Sequence, residues 1–260
     1  MNARICPTVT ATSAEDYRRQ MERLAPFAVR LHIDVADGVF TPVKLTPLDQ
    51  VWWPGGVRAD IHVMYKNPFG HLPVLLSLRP QMIIVHAEGE GDFAGFARTC
   101  HENGVEVGVA LKPETSPELI RPALGMIDHV LIFSGHLGHF GGQADLSLLE
   151  KVKTLKEWKP QLEIGWDGGI NNQNVAALVA GGVEVLNTGG FIHHAQDPQR
   201  AYETLQALAN GEQPPAKPIA VSDGPGAATA SQPKAGPAQQ SNNGGLPRLR
   251  RPVSRSRLVQ

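Results

Sequence analysis

The chain has 260 residues, 42% of them hydrophobic, enough to bury the core of one or two domains. Its net charge of −1 is unevenly placed: from residue 212 onward seven basic residues face Glu212 and Asp223, a balance of +5 that leaves −6 for residues 1–211. That mildly acidic body argues against a nucleic-acid-binding barrel, and no apolar run approaches the roughly 18 residues of a membrane span.

Cys6 and Cys100 offer neither metal-type spacing nor a disulfide framework, and the N-terminus lacks a signal-peptide pattern, so a cytoplasmic setting is expected. Taken in order, apolar β-branched runs predict strands at Arg4–Val9, Val29–Val35, Arg58–Met64, Gln81–His86, Glu106–Ala110, His129–Ser134, Glu163–Trp166 and Val183–Thr188. Amphipathic stretches predict helices near 14–25, 68–78, 92–103, 116–123, 145–157, 172–180 and 197–210. Ser13 and Asp92 stand at N-cap positions, Pro117 suits a first helical turn, and Gly104 and Gly181 follow helices as C-terminal caps do. The connection 36–57, with Pro42, Pro47, Pro54, Gly55 and Gly56, is expected to hold little helix.

Alternating strands and helices call for a parallel sheet covered by helices. Eight such units in about 210 residues fit an α/β fold of the (β/α)8 TIM-barrel type better than an open doubly wound sheet. No Gly-rich dinucleotide fingerprint follows the first strand, which weakens that rival. The predicted organisation is a barrel domain over 1–211 and a tail over 212–260. The tail is rich in Pro, Ala, Gly, Ser and Gln and expected to be disordered, with a basic end from Arg248 to Arg257. That end reads as a solvated tail in preference to a binding arm for RNA or an acidic partner.

In such a barrel the site lies at the C-terminal ends of the strands. His32 and Asp34 share one face of the second strand, His62 lies near the end of the third, His86 ends the fourth with Glu88 beyond it, and Asp167 follows the seventh. Each alone reads as a side chain satisfied by a neighbour. Together, several buried ionisable groups at strand ends are hard to explain by stability. His32, Asp34, His62 and Asp167 make a two-imidazole, two-carboxylate set suited to one divalent ion, Zn2+, Fe2+, Mn2+ or Co2+, rather than to Mg2+ or Ca2+.

Glycines mark the other half of the rim. Gly141-Gly142 follows the sixth strand, Gly168-Gly169 the seventh and Gly189-Gly190 the eighth. Backbone N–H groups at glycine approach an anion closely, and barrels frequently bind phosphate after strands seven and eight. One Gly-Gly pair is most often a turn; three on one rim predict a phosphorylated substrate.

With these stretches in view the chain resembles the ribulose-phosphate 3-epimerase family. The resemblance rests on His32–Gly38 (HIDVADG), Asp60–Met64 (DIHVM), Val85–Glu88 (VHAE), Val109–Pro113 (VALKP), the Phe140–Gln143 loop and Asp167–Ile170 (DGGI), in order over residues 4–210. It implies a (β/α)8 barrel holding one divalent metal on His32, Asp34, His62 and Asp167. The implied activity is an isomerase that inverts C3 of a ketose phosphate, D-ribulose 5-phosphate to D-xylulose 5-phosphate in the pentose phosphate pathway. Asp34 and Asp167 are the implied acid/base pair, working through an enediolate. General acid–base catalysis contributes about 10²–10⁴-fold, less than enzymes usually need, and the metal supplies a remainder.

Several positions depart from the family pattern. Thr8 stands where serine is usual, Ala36 and Phe133 replace two methionines while Met64 is kept, the loop before Phe140 is one residue longer, and Gly190 replaces a common serine. Thr8, Met64 and the three glycine pairs are the expected substrate contacts. These departures spare the metal set and alter the pocket wall, leaving open a six-carbon substrate such as allulose 6-phosphate, for which Ala36 would make room. A non-catalytic sugar-phosphate-binding protein is the reading from another class. A homo-oligomer and an unidentified tail partner complete the expectations.

Overall fold

Side-chain parity along the strands sets the architecture. In the second strand Leu31, Ile33 and Val35 share one face with the helix-covered core, while Arg30, His32, Asp34 and Ala36 share the other. The first set continues through Ile61, Val63, Val107, Val109, Val130 and Ile164 into one large core beneath the helices. A second, separate cluster of Met82, Ile84, Ala110 and Leu131 fills the inside of the sheet. The second cluster draws on strand residues alone, with no helix covering it, as in a sheet closed on itself.

The computed structural model describes residues 3–214. They form a closed barrel of eight parallel strands: β1 Arg4–Val9, β2 Arg30–Ala36, β3 Arg58–Met64, β4 Met82–His86, β5 Glu106–Leu111, β6 His129–Phe133, β7 Glu163–Asp167 and β8 Val185–Thr188. Each pairs with the next, and β8 returns to β1 with Arg4 opposite Val185 and Pro7 opposite Thr188. The expected TIM barrel is thus present. The expected disordered tail lies, from residue 215, outside the described residues.

The helices are α1 Ala14–Leu24, α2 Leu72–Ser77, α3 Phe93–Glu102, α4 Leu149–Trp158, α5 Val175–Ala180, α6 Gly190–His193 and α7 Pro198–Ala209. Ser13 caps α1 by accepting from the Asp16 N–H, and Asp92 caps α3 by accepting from the Gly95 N–H. Gly104 takes the left-handed conformation after α3; after α5 it is Gly182, one residue beyond the cap Gly181. The stretch expected as helix 116–123 is a 3-10 run over Pro117–Met126. Pro122 lies inside it and lacks the N–H that an α-helical bond would need. Connection 36–57 holds a single 3-10 turn, Leu48–Gln50. The short α6 escaped the sequence reading because it opens on Gly189-Gly190, which read as a turn.

Two further features matter below. At the N-terminal end of the barrel Arg30 Nε donates to Asp60 (2.7 Å), and its other nitrogens bind both oxygens of Glu163 (3.0 Å each). Glu163 also meets His129 Nδ1 at 2.8 Å, and Gly165 leaves room for that ring, since a Cβ there would stand 2.5 Å from His129 Nε2. On the outside, Gln206 of α7 accepts from the Ile5 N–H (3.0 Å) and donates to the Ala3 carbonyl (2.8 Å), locking the last helix onto the first strand.

Candidate metal centre and phosphate rim

Register brings the acidic and imidazole side chains together. Asp34 of β2 lies opposite His62 of β3, and both point into the barrel by the parity that sends Ile33 and Ile61 outward. Asp167 ends β7 across the barrel. His62 Nδ1 lies 2.9 Å from Asp34 Oδ1, and His32 Nε2 lies 3.3 Å from the same oxygen and 3.6 Å from Asp167 Oδ2. One donor atom from each of the four lies within 4.8 Å of the others. His32 is fully buried, and neither of its ring nitrogens makes a hydrogen bond. An orphaned buried imidazole aimed at two carboxylates is costly unless a cation joins them. The donor set suits zinc, iron, manganese or cobalt.

The two carboxylates differ in proton affinity. Burial and the neighbouring Asp34 charge raise Asp167 from 3.8 to about 7, with His32 acting the other way. Burial also opposes ionisation of Asp34, but His32 and His62 outweigh it and hold Asp34 well below the usual carboxylate range. Burial lowers His62 to about 4 against the pull of Asp34, whereas His32 is raised because Asp34 and Asp167 overcome its burial. Asp37, three residues on, has a different task. Its carboxylate accepts from the backbone N–H groups of Val39, Phe40 and Lys66 and shapes the loop around Gly38.

The glycine pairs converge on one rim. A Cβ on Gly169 would stand 2.1 Å from Ala144 N, one on Gly168 2.5 Å from Gly135 N, and one on Gly189 2.4 Å from the Phe140 ring. Gly190 packs beside Gly141, and Gly141 and Gly142 both take positive φ. The β6, β7 and β8 loops thus touch through backbone. Thr8 is buried beside His32 in register, its hydroxyl without a partner. Met64 is buried with Ala36 and Leu45, and Phe40, Val43 and Leu137 close over that cluster. Thr41 donates to the Leu137 carbonyl at 3.1 Å, joining the β2 and β6 loops across the mouth.

Two neighbours of the site went unread in the sequence. Thr10 donates to Asp34 Oδ2 at 2.5 Å; lying two residues beyond Thr8, it shares the inward face, and that parity was the available signal. Asn187 of β8 pairs in register with Asp167 and Cys6, and both polar atoms of its buried amide lack a partner. His86 and Glu88 were read as strand-end residues outside the metal set, yet His86 Nε2 lies 2.9 Å from His62 Nε2.

Comparison with known proteins agrees with this geometry. Residues 4–193 match the model of the ribulose-phosphate 3 epimerase family. Ribulose-phosphate 3-epimerase of Helicobacter pylori (strain J99) is 32% identical over 211 residues, covering 78% of this chain and 96% of that protein. The Schizosaccharomyces pombe enzyme of the same name is 28% identical, covering 81% and 94%. A crystal structure of 3-hexulose-6-phosphate synthase from Salmonella typhimurium superposes with a TM-score of 0.61 at 14% identity, over 81% of this chain and 100% of that one, a likeness of fold. The family match over residues 4–193, together with a relative 32% identical over 78% of the chain, places the chain in the ribulose-phosphate 3-epimerase family.

Proposed function

We propose that the protein is a metal-dependent ketose-phosphate 3-epimerase that interconverts D-ribulose 5-phosphate and D-xylulose 5-phosphate. The observation that carries this reading is the meeting of Asp34 and Asp167, from strands on opposite sides of the barrel, with proton affinities driven apart. Epimerisation at C3 breaks one C3–H bond and moves its electron pair toward the C2 carbonyl, giving an enediolate; a proton then returns to C3 from the other face. One carboxylate must take the proton and another must give one, and no electrons are gained or lost overall. Asp34 and Asp167 carry these roles, and Thr10 fixes the Asp34 carboxylate by donating to its Oδ2.

His32, Asp34, His62 and Asp167 would hold a divalent ion, which would supply positive charge to stabilise the enediolate. Backbone N–H groups along Gly141-Gly142, Gly168-Gly169 and Gly189-Gly190 hold the phosphate, and Thr8 and Met64 line the reacting carbons. Leu45 and Met64 packed on Ala36, with Phe40, Val43 and Leu137 against them, favour the five-carbon substrate over allulose 6-phosphate. Among the described residues no helix is long and apolar enough to cross a membrane.

The test is proton exchange. Metal-loaded protein incubated with ribulose 5-phosphate in deuterium oxide should place deuterium at C3, read by NMR or mass spectrometry. Phosphate-sugar binding without exchange would point instead to a non-catalytic relative. Metal uptake should also depend on pH with a defined sign. Asp167 keeps its proton up to about 7 without metal, and an entering cation must displace it. Apparent affinity should therefore fall by at least about tenfold per pH unit below 7 and level off above it, because metal and proton compete for one group. A flat profile in a chelator competition from about pH 5.5 to 7 would remove Asp167 from the ligand set.

A further inference from the structure

We propose that His86 and Glu88 are positioning residues that set the tautomer of His62 and so present its Nδ1 lone pair to the metal. The inference rests on the metal centre proposed above. Two ring nitrogens, His62 Nε2 and His86 Nε2, face each other at 2.9 Å inside the barrel, so one of them must carry a proton and the other must not. What decides is the far side of His86. Its Nδ1 faces Glu88 Oε2 at 3.3 Å, and a carboxylate only accepts.

Glu88 is held in that state by its surroundings. Its other oxygen accepts from the Thr115 hydroxyl and from the Lys112 N–H (3.3 Å). The loop carrying both donors is pinned in turn by Lys151 of α4, whose ammonium donates to the carbonyls of Lys112, Pro113 and Thr115 at 2.7 to 2.8 Å. With Glu88 accepting, His86 carries its proton on Nδ1 and its Nε2 is bare. His62 must then donate from Nε2, which leaves its Nδ1 bare.

That lone pair faces Asp34 Oδ1, also an acceptor, at 2.9 Å. Acceptor against acceptor in a buried site is unfavourable, and a cation between them reverses the sign. The relay from Lys151 through Glu88 and His86 therefore sets the lone pair that a cation needs and spends fold stability to keep it there. Phe40, whose ring centroid lies 4.8 Å from that of His86, holds the imidazole plane from the solvent side.

The isosteric change Glu88→Gln breaks this logic. With its carbonyl oxygen toward Lys112 and Thr115, a glutamine amide turns its NH2 group toward His86 Nδ1, so His86 accepts there and donates from Nε2, and the proton of His62 moves to Nδ1, where it blocks the metal. The experiment strips the full-length protein of metal and titrates it with Co2+. It follows the visible absorption of the ion, affinity by chelator competition, and the melting temperature of the metal-free form. Glu88→Gln should bind Co2+ about 10–100-fold more weakly with a shifted spectrum, while the metal-free melting temperature holds or rises, since the opposed lone pairs of His62 and Asp34 are relieved. His86→Gln, which can still offer a carbonyl oxygen to His62 Nε2, should stay within about threefold of the parent, whereas His86→Leu should lose as much as Glu88→Gln.

Glu88→Gln binding within twofold of the parent with an unchanged spectrum would overturn the relay, as would a metal-free melting temperature that falls together with the affinity. If Glu88→Gln fails to fold, Thr115→Val, which removes a single donor to Glu88, decides on the same readouts, with about threefold weaker binding expected. A parent protein that takes up no Co2+ overturns the metal centre itself, a result distinct from a parent and a variant that bind alike.

Discussion

Replacing Asp167 with asparagine should remove turnover and at the same time make the metal-free protein more stable. Turnover falls because the side chain can no longer exchange a proton with C3 and because one anionic ligand is lost. General acid–base catalysis alone accounts for about 10²–10⁴-fold, and weakened metal binding adds to it, so a loss of about 10³-fold or more is expected. Asp34→Asn should cost as much by the same reasoning, since Asp34 combines the other proton transfer with contacts to His62 and Thr10.

The stability effect has the opposite sign at Asp167. An acid whose pKa rises from 3.8 to about 7 on folding resists folding as pH climbs past its unfolded value, and the penalty is complete above 7. A neutral amide of the same shape escapes that penalty. Denaturant melts of the metal-free proteins at about pH 8 should place Asp167→Asn above the parent, and the gap should close at about pH 4. Asp34, whose pKa is held low against its burial, first of all by His32, gains stability on ionising, so Asp34→Asn should lose stability at neutral pH. Two asparagine variants that both kill activity but move stability in opposite directions separate the roles of the two carboxylates. If both variants destabilise the metal-free protein, Asp167 is not the strained member of the pair.

Arg30→Met should cost about 3–5 kcal/mol of folding stability, because it leaves a buried carboxylate without its cation. Asp60 is 1% exposed and takes its charged partner from Arg30 Nε alone at 2.7 Å. Glu163, with about a third of its side chain exposed, turns to water more cheaply and keeps His129, so most of the penalty falls on Asp60. For a chain of this size that corresponds to a fall in melting temperature of roughly 6–20 °C. The pairing of Arg30→Met with Asp60→Leu should recover much of the loss, since an apolar pair replaces a buried ion pair at little cost. A single variant that melts within about 1 kcal/mol of the parent would show that water compensates Asp60.

Much of the barrel was legible because interior and exterior faces alternate at period two. Leu31-His32-Ile33-Asp34-Val35 carries its apolar residues outward and its ionisable ones inward, and that stretch alone located half of the metal cluster. Other features depend on register between strands that are distant in sequence. Asn187 sits beside Asp167 and Cys6 only because β8 closes on both neighbours, and a lone asparagine in Val185-Leu186-Asn187-Thr188 carries no such mark. His86 and Glu88 were visible as strand-end residues, but their link to His62 runs through a nitrogen–nitrogen contact that spacing does not encode. Helix type was misread where proline intervened, as at Pro122, because amphipathic period survives in a 3-10 run while the α-helical hydrogen bond does not. The glycine rim was read from composition, whereas the clash that forbids a Cβ at Gly169 depends on the backbone of Gln143 and Ala144, which no local pattern foretells.

The seam between β1 and β8 bears on how the protein is made. As the chain leaves the ribosome, Arg4 to Pro7 come first, yet their partner edge, Val185 to Thr188, is the last strand of the barrel to be made, and Gln206 follows it. Until residues 185–188 have been made, one edge of β1 is therefore open, with its amides and carbonyls free to pair with another nascent chain. Closure is a contact across some 180 residues of sequence, the kind that makes folding slow. The lock from Gln206 to Ala3 and Ile5 then works as a final latch, and it places the burden of a productive fold on α7, the element furthest in sequence from the strand it secures.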